Sequence, residues 1–302
     1  MFKRFAISIV AAASVLTGPS LSTISATQRA LPPSDYEIQL RADELTANQH
    51  QNDLAIEQYE RIERQVSQTA GTTPRILEDR TFRVLPTGTG AMKLLLRDRG
   101  KTPDPAEYRR QLQLWEQALE LALKPNDSRA KSAYAKFEKK KKDRAELIDG
   151  MKEGFTRKWI GYETVDGHLC DVLVLDPNSN FHPHTMFEEA ISRVTAKIWV
   201  DHSQNQLVRA EAHIVRDLSF GGGILGKLYR GGVFFLEQSE VAPGVWLPSR
   251  YQYDFTARKF LFTFEEHQFI EASHYRRIGT PEEALALVQG ELAAGKTMTA
   301  DP

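Results

Sequence analysis

Between residues 196 and 269 apolar and polar residues alternate regularly enough to leave this chain few choices of fold. Ala196, Ile198 and Val200 point one way, and Lys197, Trp199 and Asp201 point the other. Val208, Ala210, Ala212 and Ile214 then alternate with Arg209, Glu211, His213 and Val215. A period of two is the mark of a strand with one buried face. The polar run DHSQNQ between these segments reads as a turn, and VFFLEQSEV, PGVWLP, YQYDF and KFLFTFEEHQF follow as further short strands. A sheet this extensive must bury its apolar face against something, and the rest of the chain supplies the cover.

Upstream of that region, Pro32 and Pro33 precede Ser34, a good N-cap, and residues 35–51 read as a mostly polar helix with Tyr36, Leu40 and Leu45 inward. Residues 56–66 carry enough charge for a helix, but their place before other strand-like runs favours a strand with Ile56, Ile62 and Val66 on one face. TFRVL and AMKLLLR, joined by PTGTG, predict a hairpin. Two helices follow in a helical insertion over 104–149. In the first, Asp104 caps, Pro105 takes the first position, Glu107 completes a capping-box-like start, and Tyr108, Leu112, Trp115, Leu119 and Ala122 form one apolar stripe. The second turns Ala130, Tyr134, Phe137 and Ile148 to one side and the basic run Lys139 to Lys142 to solvent, with Gly150 as its breaker. Residues 155–176 form a hairpin around Asp166-Gly167, residues 178–189 a loop, and Thr280, Pro281 and Glu283 open a C-terminal helix over 281–292.

The chain's 302 residues, 41% hydrophobic and 26% charged, provide for a sizeable core. A net charge of −1 gives no global electrostatic case for nucleic acid as a partner. Lys3 and Arg4, an apolar stretch over 5–16 and small residues up to Ala26 read as a signal peptide over 1–26, which predicts export to the periplasm or beyond and leaves a single domain over 27–302. The apolar stretch is too short to span a bilayer as a helix. No later run reaches the length of a membrane helix, so the expectation after leader cleavage is not an integral membrane protein. Cys170 is the only cysteine, so no intramolecular disulfide forms and no lipobox thiol follows the leader. Its place in HLCDVLVLD predicts a buried, inert thiol.

Motifs that would carry chemistry are incomplete. Gly221 to Lys227 match part of a phosphate loop, yet Leu228 replaces the metal-binding Ser or Thr, and Gly231-Gly232 leave no room for the helix such a loop needs. Gly221, Gly222 and Gly223 read instead as a mobile loop near a cavity mouth. His182, His184 and Glu188 resemble a metal site only in residue type, without a further ordered ligand. There is no G-x-S-x-G elbow, and the paired carboxylates Glu188-Glu189, Glu265-Glu266 and Glu282-Glu283 are sequence neighbours, which on strands face opposite sides. The expectation is a protein with no catalytic residues, no metal and no cofactor.

The GYETVDG hairpin with its LVLD strand, AKIWVDHSQNQLVRAEA, DLSFGGGILGKLYRG, FFLEQSEVAPGVWLPSRY and EEHQFIEASHYRRI together resemble a family of exported bacterial proteins with the fold of the lipoprotein-sorting carrier, the LolA/LolB-like family. The resemblance implies an α+β fold: a curved antiparallel sheet, a half-barrel of about ten or eleven strands, with helices covering its concave side. In the carrier branch an apolar cavity between sheet and helices holds acyl chains; other branches sense lipoproteins or peptides and act through partners. The long charged helix pair departs from the carriers.

On such a sheet Ile198, Val208, Ala210, Ile214, Phe234, Leu236, Tyr251, Tyr253, Phe262 and Phe264 are the candidates to line a cavity. The expected ligand is a lipid or lipoprotein acyl chain or an apolar peptide. The alternative is an envelope structural or interaction protein with a filled core, binding a protein partner through its charged helices.

Overall fold

A computed structural model describes residues 32–71, 73–220, 226–260 and 262–295. The signal peptide expected over 1–26 and the loop of Gly221, Gly222 and Gly223 lie outside the described residues. No described helix is long and apolar enough to cross a membrane.

The chain runs α1 (Asp35–Ala55), a 3-10 turn (Ile56–Gln58), β1 (Tyr59–Gln68), β2 (Ile76–Pro86), β3 (Ala91–Asp98), α2 (Pro105–Ala122), α3 (Ser128–Gly154), β4 (Phe155–Val165), β5 (His168–Pro177) and α4 (Met186–Ile191). It continues with β6 (Val194–Asp201), β7 (Leu207–Ile214), the short β8 (Leu218–Phe220) and β9 (Gly226–Leu228), β10 (Val233–Ala242), β11 (Val245–Lys259), β12 (Phe262–Arg277) and α5 (Pro281–Ala293).

Every strand pairing is antiparallel. One run is ordered β3-β2-β1-β12-β11, with β10 and β9 sharing the far side of the long β11; a second is β4-β5-β6-β7. The runs meet where β7 lies beside β10, joined by Ile214 N–H to Gly232 O and Gly231 N–H to Ile214 O, each 2.8 Å. The result is one open antiparallel sheet with β3 and β4 at its edges. Bulges in β4, β7, β10 and β11 break the ladder's regularity; each adds local twist and bend.

The α2–α3 pair carries the chain from edge strand β3 to edge strand β4. Asp104 caps α2 by accepting from Ala106 N–H, without a reciprocal Glu107 bond, and the apolar stripe expected for α2 is buried in full. It packs with Leu85, Leu94, Ile278 and the α5 residues Ala284 and Val288. By register these helices lie against the side of β2 and β3 that carries Arg83, Leu85 and Leu94. The other, inner side carries α1, α3 and α4. There Leu147 of α3 and Ile191 of α4 pack on Leu175, with Ala196 and Ile198 alongside.

Several local expectations need correction. Tyr36 and Leu40 do not face inward; they are 77% and 47% exposed. α3 does not break at Gly150 but continues to Gly154. A Cβ on Gly154 would meet Ile191 Cγ2 at 2.5 Å and one on Gly150 would meet Ile191 Cδ1 at 3.0 Å, so both glycines serve the close approach of α4. Residues 178–189 are not all loop, since Thr185 and Glu188 form a capping box that starts α4. VWLP and YQYDF are parts of one strand, β11, with Pro248 beside that strand's own bulge at Ser249, a position where proline is tolerated. The Asp166-Gly167 turn is as expected, with φ of 49° and 88°, the two positive values a tight hairpin turn requires.

Candidate functional site

The inner face of β5, β6, β7, β10, β11 and β12 is an apolar wall built by cross-strand pairing. Ile198 lies opposite both Leu173 and Ala210, and Val194 opposite Ile214. Phe234 lies opposite Tyr253, and Tyr251 lies between Leu236 and Ile270. Phe255 stacks on Phe234 and Tyr253 with ring centroids 6.0 and 5.9 Å away. Ile214, Phe234, Tyr253 and Ile270 are buried together, and Leu236 and Tyr251 are partly buried against them.

Ile198, Ala210, Ile214, Phe234, Leu236, Tyr251 and Tyr253 thus share one face, and Phe264, opposite Ala257, continues it by register. Val208, the extra residue of a bulge in β7, joins a different cluster with Cys170, Val172, Trp199 and Trp246. Phe262 is 78% exposed at the β11–β12 turn.

At the β1 end the wall turns polar. Arg61 lies 2.7 Å from Glu63, Lys93 pairs with the same carboxylate, and Gln65 Nε2 donates to Glu63 Oε2 at 2.7 Å. Glu63 is almost fully buried. Burial raises its pKa, but Arg61 and Lys93 outweigh that and hold the carboxyl below its ordinary value. Burial raises the Tyr251 and Tyr275 phenols, and Tyr275 donates to Pro248 O at 2.6 Å. The sequence reading put Ile62 and Val66 together on one strand face, as β1 does, without assigning which face is covered; Arg61, Glu63 and Gln65 take the inner side. The available signal was the second period-two set in YERIERQV, Arg61-Glu63-Gln65, set against Ile62 and Val66.

α1 lies across this face, tied by side chains on both flanks. On the sheet side Arg41 reaches Asp171 at 2.7 Å, Asn48 donates to Asn205 O at 2.9 Å, and Gln49 donates to Gln238 at 3.3 Å. Asn52 donates to Gln206 at 2.9 Å and accepts from the Trp246 N–H at 3.0 Å. On the α3 side Asp43 meets Lys152 at 2.9 Å, His50 meets Asp149 at 2.7 Å, and Asp53 meets Arg144 at 2.6 Å. The only buried residue of α1 is the polar Asn52. Two side chains from the α1 flank also fix Asp171: His202 at 2.8 Å and the Trp159 indole N–H at 2.9 Å.

Hollows open on the surface elsewhere. One, of about 510 Å³, lies between α3 and the β2–β3 turn; another, of about 300 Å³, lies beside Ser273 and His274 of β12. Among the described residues no group of three or more His, Cys, Asp or Glu is placed to hold a metal ion. His182 and His184 lie on an exposed loop.

No protein-family model matches the chain. No curated protein matches it either. Three solved structures are among those similar to it. One, from Desulfovibrio piger, is of a DUF1329 family protein, at 13% identity and a TM-score of 0.31, covering 80% of this chain and 92% of that one. Another, from Vibrio parahaemolyticus, is of a putative outer membrane lipoprotein-sorting protein domain, at 9% identity and 0.31, covering 82% and 99%. The third, from Nitrosomonas europaea, is of a LolA superfamily protein, at 10% identity and 0.31, covering 84% and 98%. The open antiparallel sheet follows from this chain's own strand order.

Proposed function

We propose that this is an exported, non-enzymatic binding protein that shelters a lipid or lipoprotein acyl chain, or an apolar peptide, against the inner wall of its sheet. The observation that carries the reading is the attachment of α1. It lies on the inner side of the sheet, its one buried residue is the polar Asn52, and hydrogen bonds and ion pairs tie it down on both flanks. Such contacts exchange readily for water, because a hydrogen bond contributes only about 0.5–1.5 kcal/mol net to stability. An incoming acyl chain gains about 0.8 kcal/mol for each methylene removed from water. A chain of some ten methylenes therefore outweighs several of the polar ties it replaces. The family resemblance in the sequence supports the same reading, as does the leader expected over 1–26.

Native mass spectrometry of the protein purified from the periplasm, with lipid extraction and titration of a fluorescent fatty acid, tests the proposal. Co-purifying lipid, or saturable fatty-acid binding at one site, supports it. Neither co-purifying lipid nor fatty-acid binding rejects carriage and returns the interaction protein with a filled core.

A further inference from the structure

We infer that the groove between the first half of α3 and the β2–β3 turn binds an anion carrying a phosphate group. This goes beyond acyl-chain binding and does not depend on it, since α1 meets only the far end of α3, at Arg144, Asp149 and Lys152.

Several lysines of α3 are already neutralised. Lys139 reaches Asp143 at 2.7 Å, Lys141 reaches Glu138 at 3.4 Å, and Lys142 reaches Glu146 at 3.5 Å, each one helical turn away. Lys136 and Lys140 have no carboxylate within ion-pair distance among the described residues. They are spaced i, i+4, with Ser132 and Ser128 at the preceding turns, so the four fall on one stripe of the helix. That stripe, with Arg129, lines a hollow of about 510 Å³ whose opposite wall is Thr89 of the β2–β3 turn. Arg129 is held there by Asp127, 2.9 Å away. The basic run expected to be merely solvated is therefore divided. One part is internally paired, and the other, with hydroxyl donors interspersed, faces a concavity of ligand size.

Two ammonium groups and three hydroxyls within one groove suit a tetrahedral oxyanion, which takes several charge-assisted hydrogen bonds at once. Either a phospholipid headgroup or a free phosphomonoester presents that group, and the experiment separates them. Wild-type protein, K136A/K140A and K139A/K142A are assayed for co-sedimentation with phosphatidylcholine vesicles with and without phosphatidylglycerol, and by calorimetric titration with glycerol 3-phosphate. The two double variants remove equal charge from exposed positions, and circular dichroism checks their folding. The site predicts that K136A/K140A loses about 30-fold in affinity, two lysines' worth of attraction to an anionic surface, while K139A/K142A stays within about 3-fold of wild type. Binding only to phosphatidylglycerol vesicles identifies a lipid headgroup; binding to glycerol 3-phosphate identifies a soluble ligand. Equal losses in both variants, or no binding of either probe by wild type, overturn the proposal.

Discussion

Asn52 of α1 accepts a hydrogen bond from the backbone N–H of Trp246 at 3.0 Å, while its amide donates to Gln206 at 2.9 Å. One buried side chain thereby joins α1 to the β10–β11 hairpin and to the β6–β7 turn. N52A leaves a buried donor and a buried acceptor without partners, which costs about 1–3 kcal/mol. Urea denaturation should show a midpoint lowered accordingly. A loss no larger than that of a surface substitution would mean that α1 is held elsewhere.

Gly154 is a packing glycine. A methyl group there meets Ile191 Cγ2 at 2.5 Å and Phe181 at 3.3 Å. Overpacking of this kind costs about 1–3 kcal/mol, so G154A should be destabilised by that amount. Adding I191A should cost less in the G154A background than in wild type, and a double-mutant cycle by chemical denaturation reads the difference. Additive effects would contradict the close approach.

Glu63 gives the fold an acid-sensitive element. Its carboxyl is held below its ordinary pKa because Arg61 and Lys93 outweigh the effect of burial. A group depressed on folding contributes stability that is present above its unfolded pKa and lost as pH falls through the folded value. Wild-type stability should therefore decline below about pH 4.3, the ordinary glutamate value, and E63Q should show a shallower decline. At neutral pH E63Q leaves Arg61 without its carboxylate, and breaking a buried pair costs about 3–5 kcal/mol. An unchanged acid limb in denaturation series at several pH values would remove Glu63 from the account.

Cys170 should be chemically quiet. Burial, with Asp201 nearby, pushes its thiol up to about 11, so little thiolate exists at pH 8. Iodoacetamide labelling followed by mass spectrometry should proceed far more slowly in the native protein than in urea. Equal rates would place the thiol at the surface.

What was legible in the sequence was whatever a single element determines. The α2 stripe, the Asp166-Gly167 turn and the alternation in β6 and over Ala210, Ala212 and Ile214 of β7 depend on neighbours along the chain, and each is found as expected, whereas Val208 is turned away at the β7 bulge. What was not legible depends on a distant partner. Gly150 is a helix breaker by propensity, yet it stays helical because Ile191 packs against it. Tyr36 and Leu40 look like an inward face, but α1 binds through Arg41, Asn48, Gln49 and Asn52 instead. The polar end of the wall at Arg61 and Glu63 was missed because β1's charged alternation does not say which side is covered.

The account's central claim is that α1 is a displaceable cover over an apolar wall, and hydrogen exchange followed by mass spectrometry, with and without a saturating fatty acid, tests it most directly. Binding should strip protection from the amides of residues 35–55 while those of β10 and β11 keep or gain protection. Fatty acid that binds while α1 stays as protected as before would contradict the claim.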